Sequence, residues 1–226
     1  MKKAIIVGAT SGIGEALARL LVNNDYKVGI TGRRKENLLK LKQENPDKYI
    51  IKSFDSTKTS NAKMLDELAA ELEGLDLLVI SSGTGGINTE LNYEIENKTN
   101  QLNVVAFTEI ADWAFNYFEK QKHGHLAAIT SIAGLRGSKD APSYFASKAY
   151  QINYLEGLRQ KAKNLKMPIF VTDIRPGFVD TAMALGEGMF WVAPVDKAAK
   201  QIYGLIERKK DVGYVTKCWR LIAWVL

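Results

Sequence analysis

The chain contains a single cysteine, Cys218, which excludes a disulfide within it. Its only histidines, His123 and His125, together with that one cysteine, give no ligand set for a structural zinc ion. The apolar run after Met1 is short and has no small-residue cleavage site of the kind that a secretory signal carries. We therefore expect a cytoplasmic protein without a metal centre.

Long basic runs are missing as well. The net charge is +6 at pH 7, and the 31 Lys and Arg residues are interspersed with 25 Asp and Glu residues. No basic run alternates with aromatic residues, so we predict no nucleic-acid ligand. No linker rich in Pro, Gly or Ser divides the 226 residues, and a hydrophobic content of 46% is enough for one core. A single domain, residues 1–226, is expected.

What the chain does have is a regular alternation of apolar runs and amphipathic segments. Strands are predicted at 2–7, 27–31, 49–54, 75–80, 125–130 and 168–174, with an edge strand at 212–215. Helices are predicted at 15–22, 34–43, 61–72, 97–122, 143–164 and 195–208. This order predicts an α/β fold, a doubly wound, Rossmann-like parallel sheet with helices on both faces. Ligands of such sheets bind beyond the carboxyl ends of the strands.

The first strand runs directly into a glycine turn, Gly8 to Gly14, at the start of the first helix. Gly8 suits a tight turn, Gly12 leaves room for a diphosphate near the backbone, and Gly14 allows close helix packing. The helix N-terminus offers free N–H groups to an anion. Three residues separate the first two glycines, a departure from the G-x-G-x-x-G fingerprint, so an ordinary strand-to-helix connection remains the alternative.

Small, polar or charged residues follow the other strands too. They are Gly32 to Arg34, Asp55 to Thr57, Ser81 to Thr84, Ser131 to Gly134 and Arg175 to Gly177. Turns favour such residues in any protein. Five such sets at one edge of a sheet nevertheless indicate a binding site there.

Tyr144 and Lys148 are the candidate catalytic pair in this pattern. They are four residues apart on a predicted helix and therefore lie on one face. A nearby ammonium group favours the phenolate form, so Tyr144 is a candidate general acid or base. Ser131 precedes Tyr144 by thirteen residues and could donate a hydrogen bond to a substrate carbonyl oxygen. A chance pairing in a helix is the alternative for Tyr144 and Lys148 taken alone.

Together these features resemble the classical short-chain dehydrogenase/reductase (SDR) family. The glycine turn, Asp55, Asn103 within Leu-Asn-Val-Val, Ser131, Tyr144-x-x-x-Lys148 and Pro176-Gly177 occur in the family's order, over residues 2 to about 215. The resemblance implies an NADP-linked carbonyl or alcohol oxidoreductase. A non-catalytic NADP(H)-binding regulator with the same fold is the alternative, and the intact catalytic residues favour the enzyme.

The resemblance also assigns roles to single residues. Tyr144 would donate the proton and Lys148 would lower its pKa and hold the nicotinamide ribose. Ser131 would orient the carbonyl, and Asn103 would support a water-linked proton path to Lys148. The implied cofactor contacts are Gly8, Thr10, Ser11, Gly12, Ile13, Gly14, Arg33, Arg34, Asp55, Ser81, Ser82, Gly83, Tyr144, Lys148, Pro176, Gly177 and Thr181.

Two positions depart from common family patterns. Ile80-Ser81-Ser82-Gly83 stands where the family usually has Asn-Asn-Ala-Gly, which weakens the contacts assigned to Ser81 and Ser82. Gly32 stands where an NAD enzyme commonly has an acid. Arg33 is then the expected ligand of an NADP 2′-phosphate, with Arg34 as a helper, unless both are simply solvated.

The remaining segments concern substrate and assembly. The substrate loop, 178–193, carries Met183, Leu185, Met189, Phe190 and Trp191, and either an apolar pocket wall or core packing fits them. Gly186 and Gly188 are compatible with a mobile lid. The apolar C-terminal segment, 217–226, is expected to be buried rather than to contact a membrane. Surplus apolar faces on helices 97–122 and 143–164, together with the resemblance, predict a homodimer or homotetramer rather than a monomer.

Overall fold

Alternate side chains of the first strand enter two different hydrophobic cores. In the computed structural model, which describes residues 1–182 and 190–225, this strand is β1 (Lys2–Val7). Ala4 and Ile6 lie in one core, whereas Ile5 and Val7 lie in the other, and each is at most 1% exposed. A strand buried on both faces belongs in the middle of a sheet that helices cover on both sides.

The described residues form seven strands and eight α-helices. The strands after β1 are β2 (Tyr26–Gly32), β3 (Tyr49–Ser53), β4 (Leu77–Ile80), β5 (Gly124–Ile129), β6 (Ile169–Pro176) and β7 (Val212–Val215). The helices are α1 (Gly12–Asn23), α2 (Lys35–Glu44), α3 (Asn61–Leu72), α4 (Tyr93–Asn100), α5 (Phe107–Gln121), α6 (Pro142–Leu165), α7 (Val195–Glu207) and α8 (Trp219–Val225).

All seven strands pair in parallel, in the order β3-β2-β1-β4-β5-β6-β7. Helices α1, α2 and α7 cover one face, and α3, α5 and α6 cover the other. The predicted doubly wound α/β fold and the edge strand at 212–215 are thereby confirmed. The order of the strands reverses between β1 and β4, so the ligand crevice is expected beyond their carboxyl ends.

The long helix predicted at 97–122 is longer and less regular than expected. It begins at Tyr93, because the side chain of Asn92 accepts a hydrogen bond from the Glu94 N–H (2.9 Å) and caps the helix. Between α4 and α5 it passes through a π-helical segment, Gln101–Ala106. Insertions of this kind occur frequently at functional sites. Asn103, one of the predicted catalytic residues, lies inside the segment.

The C-terminal segment is partly buried against its own chain. Trp219, the first residue of α8, is 2% exposed, and its ring packs edge-on against Phe178 and lies 5.1 Å from the ring of Phe190. Leu221 on the same helix is 73% exposed. Among the described residues, no helix has both the length and the apolar character needed to cross a bilayer. Of the predicted substrate-loop residues, Met183, Leu185, Gly186, Gly188 and Met189 lie outside the described ranges.

Candidate active site

The glycine turn brings the backbone of β1 against the loop that follows β4. Gly8 has a φ of +95°, and a Cβ atom added there would lie 2.5 Å from the Ser82 nitrogen. A Cβ atom on Gly14 would lie 2.1 Å from the Gly8 carbonyl oxygen. Neither position can hold a side chain, because backbone atoms occupy the space. The two glycines thus create the tight turn and close packing that the sequence predicted.

The other turn residues lie around the start of α1. Gly12, the first residue of α1, has a φ of +59°, and a Cβ atom on it would be 3.2 Å from Thr181 Cγ2. Thr181 therefore lies beside the N-terminus of α1. Ser11 is the N-cap residue of α1, but its hydroxyl makes no capping hydrogen bond. The turn thus presents the N-terminus of α1 at the carboxyl edge of the sheet, where an anion can be bound.

Arg34 is held by the turn, whereas Arg33 extends into solvent. The Arg34 guanidinium donates hydrogen bonds to Thr10 Oγ1 (2.7 and 3.1 Å) and to Ser11 Oγ (2.6 Å). The Arg33 side chain is 65% exposed and lies 3.9 Å from the Asp55 carboxylate. Two positive charges therefore flank the turn: Arg34 is bonded to the turn itself, and Arg33 is exposed beside Asp55.

Asp55 follows β3 and stays ionised near these arginines. Partial burial acts to raise the pKa of its carboxyl group. Hydrogen bonds from the Thr57 N–H (3.0 Å) and hydroxyl (2.8 Å), with the charge of Arg33, outweigh that effect and leave the pKa below its usual value.

The loop after β4 lies between the glycine turn and α6, the helix that carries Tyr144 and Lys148. Ser81 Oγ would be 2.9 Å from a Cβ atom on Gly14, so this hydroxyl faces α1. A Cβ atom on Gly83 would be 3.5 Å from Lys148 Nζ and 3.6 Å from Asn103 Oδ1. The predicted Ser81, Ser82 and Gly83 therefore lie at the centre of the site.

Tyr144 and Ser131 meet at the carboxyl end of β5. Burial raises the pKa of the Tyr144 phenol, and the neighbouring Ser131 hydroxyl opposes this rise. Ser131 Oγ also accepts a hydrogen bond from the Ala133 N–H (3.1 Å), which starts a short 3₁₀ helix. In this structure the phenol is consequently held in its protonated form.

Lys148 lies near Tyr144, but its ammonium group is engaged elsewhere. The Nζ atom is 5.9 Å from the centroid of the Tyr144 ring. It donates hydrogen bonds to the Ile129 carbonyl (3.2 Å) and to Gln151 Oε1 (3.0 Å). Burial lowers the pKa of Lys148 to about 8, although the Asp173 carboxylate opposes this shift. Burial is the largest influence on the pKa of the Tyr144 phenol in this structure, and the lowering of that pKa by Lys148 stays a prediction.

Asn103 connects three parts of the site. Its side chain is fully buried and exchanges hydrogen bonds with the backbone of Thr84. The same amide donates to Ser147 Oγ (3.0 Å) on α6. Its backbone carbonyl accepts a hydrogen bond from Gln151 Nε2 (2.8 Å). The π-helical segment is thus tied both to the β4 loop and to α6.

Pro176 and Gly177 close the far side of the site. Pro176 ends β6, and its carbonyl oxygen lies 3.5 Å from Ser131 Oγ. A Cβ atom on Gly177 would be only 2.1 Å from the indole ring of Trp219, so the ring of Trp219 lies flush against this glycine.

Three contributors to the site were not predicted from the sequence. They are Ser147, Gln151 and Trp219. Gln151 had a detectable signal, because a residue three positions after Lys148 on a helix shares its face. Trp219 acts through a contact with Gly177, far along the chain, which spacing does not reveal.

Comparison with known proteins identifies the family. The family model for short chain dehydrogenases matches residues 2–188. The chain belongs to the short-chain dehydrogenase family. The resemblance inferred from the glycine turn, Ser131, Tyr144 and Lys148 is thereby confirmed at the level of the family.

Curated relatives agree over most of the chain. An uncharacterized oxidoreductase of Staphylococcus aureus (strain USA300) is 31% identical over 215 residues, which are 92% of each chain. Nodulation protein G of Rhizobium sp. (strain N33) is 31% identical over 185 residues, 80% of this chain and 75% of the relative. Both alignments extend over most of the short-chain dehydrogenase fold described above.

Solved structures show the same fold. A short-chain dehydrogenase from Sphingobium yanoikuyae in complex with NADPH superposes with a TM-score of 0.85 at 20% identity, covering 100% of this chain and 93% of that one. The structure described as ElxO with NADP bound gives a TM-score of 0.81 at 22% identity, covering 95% and 96%. At these identities the likeness concerns the fold.

Proposed function

We propose that this chain, an oxidoreductase of the short-chain dehydrogenase family, transfers a hydride between NADP(H) and a small carbonyl or alcohol substrate. The observation that carries the proposal is the convergence of Ser131, Tyr144 and Lys148. The ammonium of Lys148 binds the carbonyl of Ile129, two residues before Ser131, and the hydroxyl of Ser131 influences the phenol of Tyr144. Three groups with complementary proton chemistry thus surround one point at the end of β5.

Each group has a defined task in carbonyl reduction. Tyr144 donates its phenolic proton to the substrate oxygen, and Ser131 donates a hydrogen bond to that oxygen as negative charge develops. Burial raises the pKa of Tyr144 and so keeps the donor protonated. The positive charge of Lys148 stabilises the phenolate that remains. When bound, the nicotinamide supplies the hydride that reaches the carbonyl carbon.

The residues around the glycine turn fit a dinucleotide. A Cβ atom at Gly8 or Gly14 would collide with backbone atoms, so the turn presents bare backbone at these two positions. The N-terminus of α1, which follows the turn, can bind a diphosphate. Arg33 and Arg34 would contact the 2′-phosphate, and Asp55 would lie at the adenine edge. The described NADP-bound and NADPH-bound structures of similar fold are consistent with this choice of cofactor.

The assembly we propose is a homodimer or homotetramer formed through the α4–α5 and α6 helices. Phe115 and Phe118 are buried against the sheet, so they are not available for an interface. Trp113 and Tyr117 are only partly buried, and Val105 in the π-helical segment is 55% exposed. Light scattering at micromolar concentration should give a mass above the 25.1 kDa of one chain. A mass near one chain would contradict the proposed assembly.

The catalytic proposal is tested with Tyr144→Phe, which keeps the ring but removes the acid. NADPH oxidation is followed with a panel of aldehydes, ketones and quinones, and turnover should fall by about a hundredfold or more. NADPH affinity, measured by fluorescence titration, should change little. Near-normal turnover in Tyr144→Phe would refute the assigned role. Tight NADPH binding by the wild type without turnover on any compound would instead favour the non-catalytic regulator.

A further inference from the structure

Gln151 links two of the predicted catalytic residues directly. Its side chain is 1% exposed and lies on the same face of α6 as Lys148, three residues earlier. Gln151 Oε1 accepts a hydrogen bond from Lys148 Nζ (3.0 Å). At the other end of the amide, Nε2 donates to the backbone carbonyl of Asn103 (2.8 Å). One buried carboxamide therefore spans the distance between Lys148 and Asn103.

The orientation of this amide follows from its partners. A backbone carbonyl can only accept a hydrogen bond, and an ammonium group can only donate. The Oε1 atom must therefore face Lys148 and the Nε2 atom must face Asn103, because the flipped amide would lose both bonds. Lys148 is itself 3% exposed, so no bulk solvent replaces a lost partner.

We propose that Gln151 is a positioning residue that holds the Lys148 ammonium in place and occupies the connection to Asn103 for which the family resemblance implies a water molecule. The inference rests on the proposed function, in which Lys148 supports Tyr144. A water molecule can accept one proton while it releases another. A carboxamide does neither near neutral pH, so Gln151 fixes Lys148 without passing protons to Asn103.

Under this proposal, the contact with Gln151 contributes to the charge state of Lys148. Tyr144 on α6 itself and Asp173 are the titratable groups nearest to Lys148, and Arg175 pairs with Asp173. Glu96 accepts a hydrogen bond from the backbone at the start of α6. Further along the helix, its side chains pair with Asp112, Glu119 and Asp211. Burial disfavours the ammonium form, and the Asp173 carboxylate favours it. The carboxylate of Asp173 is itself paired with Arg175 (2.7 Å). The Oε1 atom of Gln151 accepts a hydrogen bond from the ammonium and so adds to the forces that keep Lys148 charged.

The direct test measures Lys148 in the cofactor-free protein. Lysine labelled with ¹³C at Cε is titrated by NMR, and the Lys148 signal is assigned by its absence in Lys148→Met. Gln151→Leu removes both hydrogen bonds at similar volume, so the titration midpoint of Lys148 should fall by about one pH unit or more. Gln160→Leu is the matched control, since Gln160 is exposed on the same helix, and it should leave the midpoint unchanged.

Gln151→Glu supplies a second variant in case the leucine variant does not fold. It keeps the volume and an acceptor for Lys148, and its carboxylate should raise the midpoint rather than lower it. Opposite shifts in the two variants support the proposal. An unchanged Lys148 midpoint in a folded Gln151→Leu or Gln151→Glu protein would overturn it.

Kinetics separate positioning from a purely structural role. In Gln151→Leu, kcat should fall by about tenfold or more, with little change in the KM of the carbonyl compound. Gln160→Leu should match the wild type. A positioning role would be contradicted if Gln151→Leu lowered both kcat and thermal stability and Gln151→Glu restored neither of them in part. A wild type without turnover would count against the proposed function, while the NMR midpoint still tests Gln151 by itself.

Discussion

Asn103 and Thr84 form two reciprocal hydrogen bonds. The Thr84 N–H donates to Asn103 Oδ1 (2.9 Å), and Asn103 Nδ2 donates to the Thr84 carbonyl (2.7 Å). Ile80 and Ser81, at the end of β4 and the start of the loop after it, stand where the family usually has asparagines, and the loop is held here by a side chain from the π-helical segment. Asn103 thus stabilises the loop that separates the glycine turn from Lys148.

Replacing Asn103 by alanine should weaken the fold as well as the site. The substitution leaves both backbone groups of Thr84 without these partners and removes the bond to Ser147. We expect the free energy of unfolding, measured with urea, to fall by about 2–4 kcal/mol. Asn116→Ala, at an exposed position of α5, should change it by less than about 0.5 kcal/mol. Equal stability of the two variants would contradict this role of Asn103.

Arg33 and Arg34 should affect cofactor binding differently. Arg33 is exposed beside Asp55, and we expect its guanidinium to bind a 2′-phosphate. Arg33→Ala should therefore weaken NADPH binding by about 10- to 150-fold and leave NADH binding nearly unchanged. Arg34 is bound to Thr10 and Ser11, so Arg34→Ala should also loosen the turn and weaken both cofactors.

Fluorescence titration of both cofactors checks these expectations. Lys40→Ala removes the same charge from an exposed position of α2 and serves as the control. A wild type that prefers NADH, or an Arg33→Ala variant that keeps the preference for NADPH, would show that Arg33 does not bind the 2′-phosphate.

The layered fold was predictable because the spacing of apolar residues along the chain determines which faces of the strands and helices are buried. Side chains of β1 point alternately to the two faces of the sheet, and those of Ala4, Ile5, Ile6 and Val7 are all apolar and buried. Such a strand predicts that helices pack on both faces of the sheet. Ser131, Tyr144 and Lys148 were predictable because the helix repeat and the end of a strand determine where they lie. The local geometry of a helix or a strand end is sufficient to predict the positions of such residues.

Other features leave only a weak signal in the sequence or depend on how the chain packs. The early helix start at Tyr93 follows from a cap by Asn92, and an isolated asparagine is a weak signal before a charged segment. The π-helical segment has no recognisable sequence pattern. The pKa of Tyr144 was expected to fall because Lys148 is near in sequence. Burial of the phenol, which spacing in the sequence does not reveal, raises this pKa in the structure, and the neighbouring Ser131 hydroxyl opposes the rise.

His125 should make the protein sensitive to acid. It is 7% exposed, its Nε2 lies 2.7 Å from Thr172 Oγ1, and burial lowers its pKa from 6.5 to about 4. Below pH 6.5 the unfolded chain therefore binds a proton that the folded chain does not, so stability falls as the pH drops towards 4. Between pH 7.5 and pH 5 this difference amounts to about 2 kcal/mol.

Urea unfolding at the two pH values measures this loss. His125→Gln should remove about 2 kcal/mol of the acid-induced destabilisation, whatever its stability at pH 7.5. His123→Gln, at an exposed position, is the control and should change the acid-induced loss little. The same acid-induced loss in His125→Gln as in the wild type would rule out His125 as the cause.

Two adjacent glycines provide a test of how tightly the Tyr144 ring is held. A Cβ atom on Gly85 would lie 2.3 Å from Tyr144 Cδ2 and 2.7 Å from Cγ, whereas a Cβ atom on Gly86 would have no neighbour within 4 Å. The φ angle of Gly85 is outside the left-handed region, so its backbone accepts alanine. Gly85→Ala should therefore act on the ring of Tyr144 rather than on the loop.

The displaced ring should lower turnover, because a shift of about 1 Å in a catalytic group can cost about a hundredfold in rate. We expect Gly85→Ala to reduce kcat by about that factor at unchanged NADPH affinity, and Gly86→Ala to resemble the wild type. Circular dichroism confirms that both variants fold, and steady-state kinetics with the best carbonyl compound of the panel gives kcat. Because the two substitutions add the same methyl group one residue apart, a difference in kcat isolates the contact with Tyr144. Equal kcat values would mean that the ring tolerates displacement, and a catalytic role for its present position would have to be abandoned.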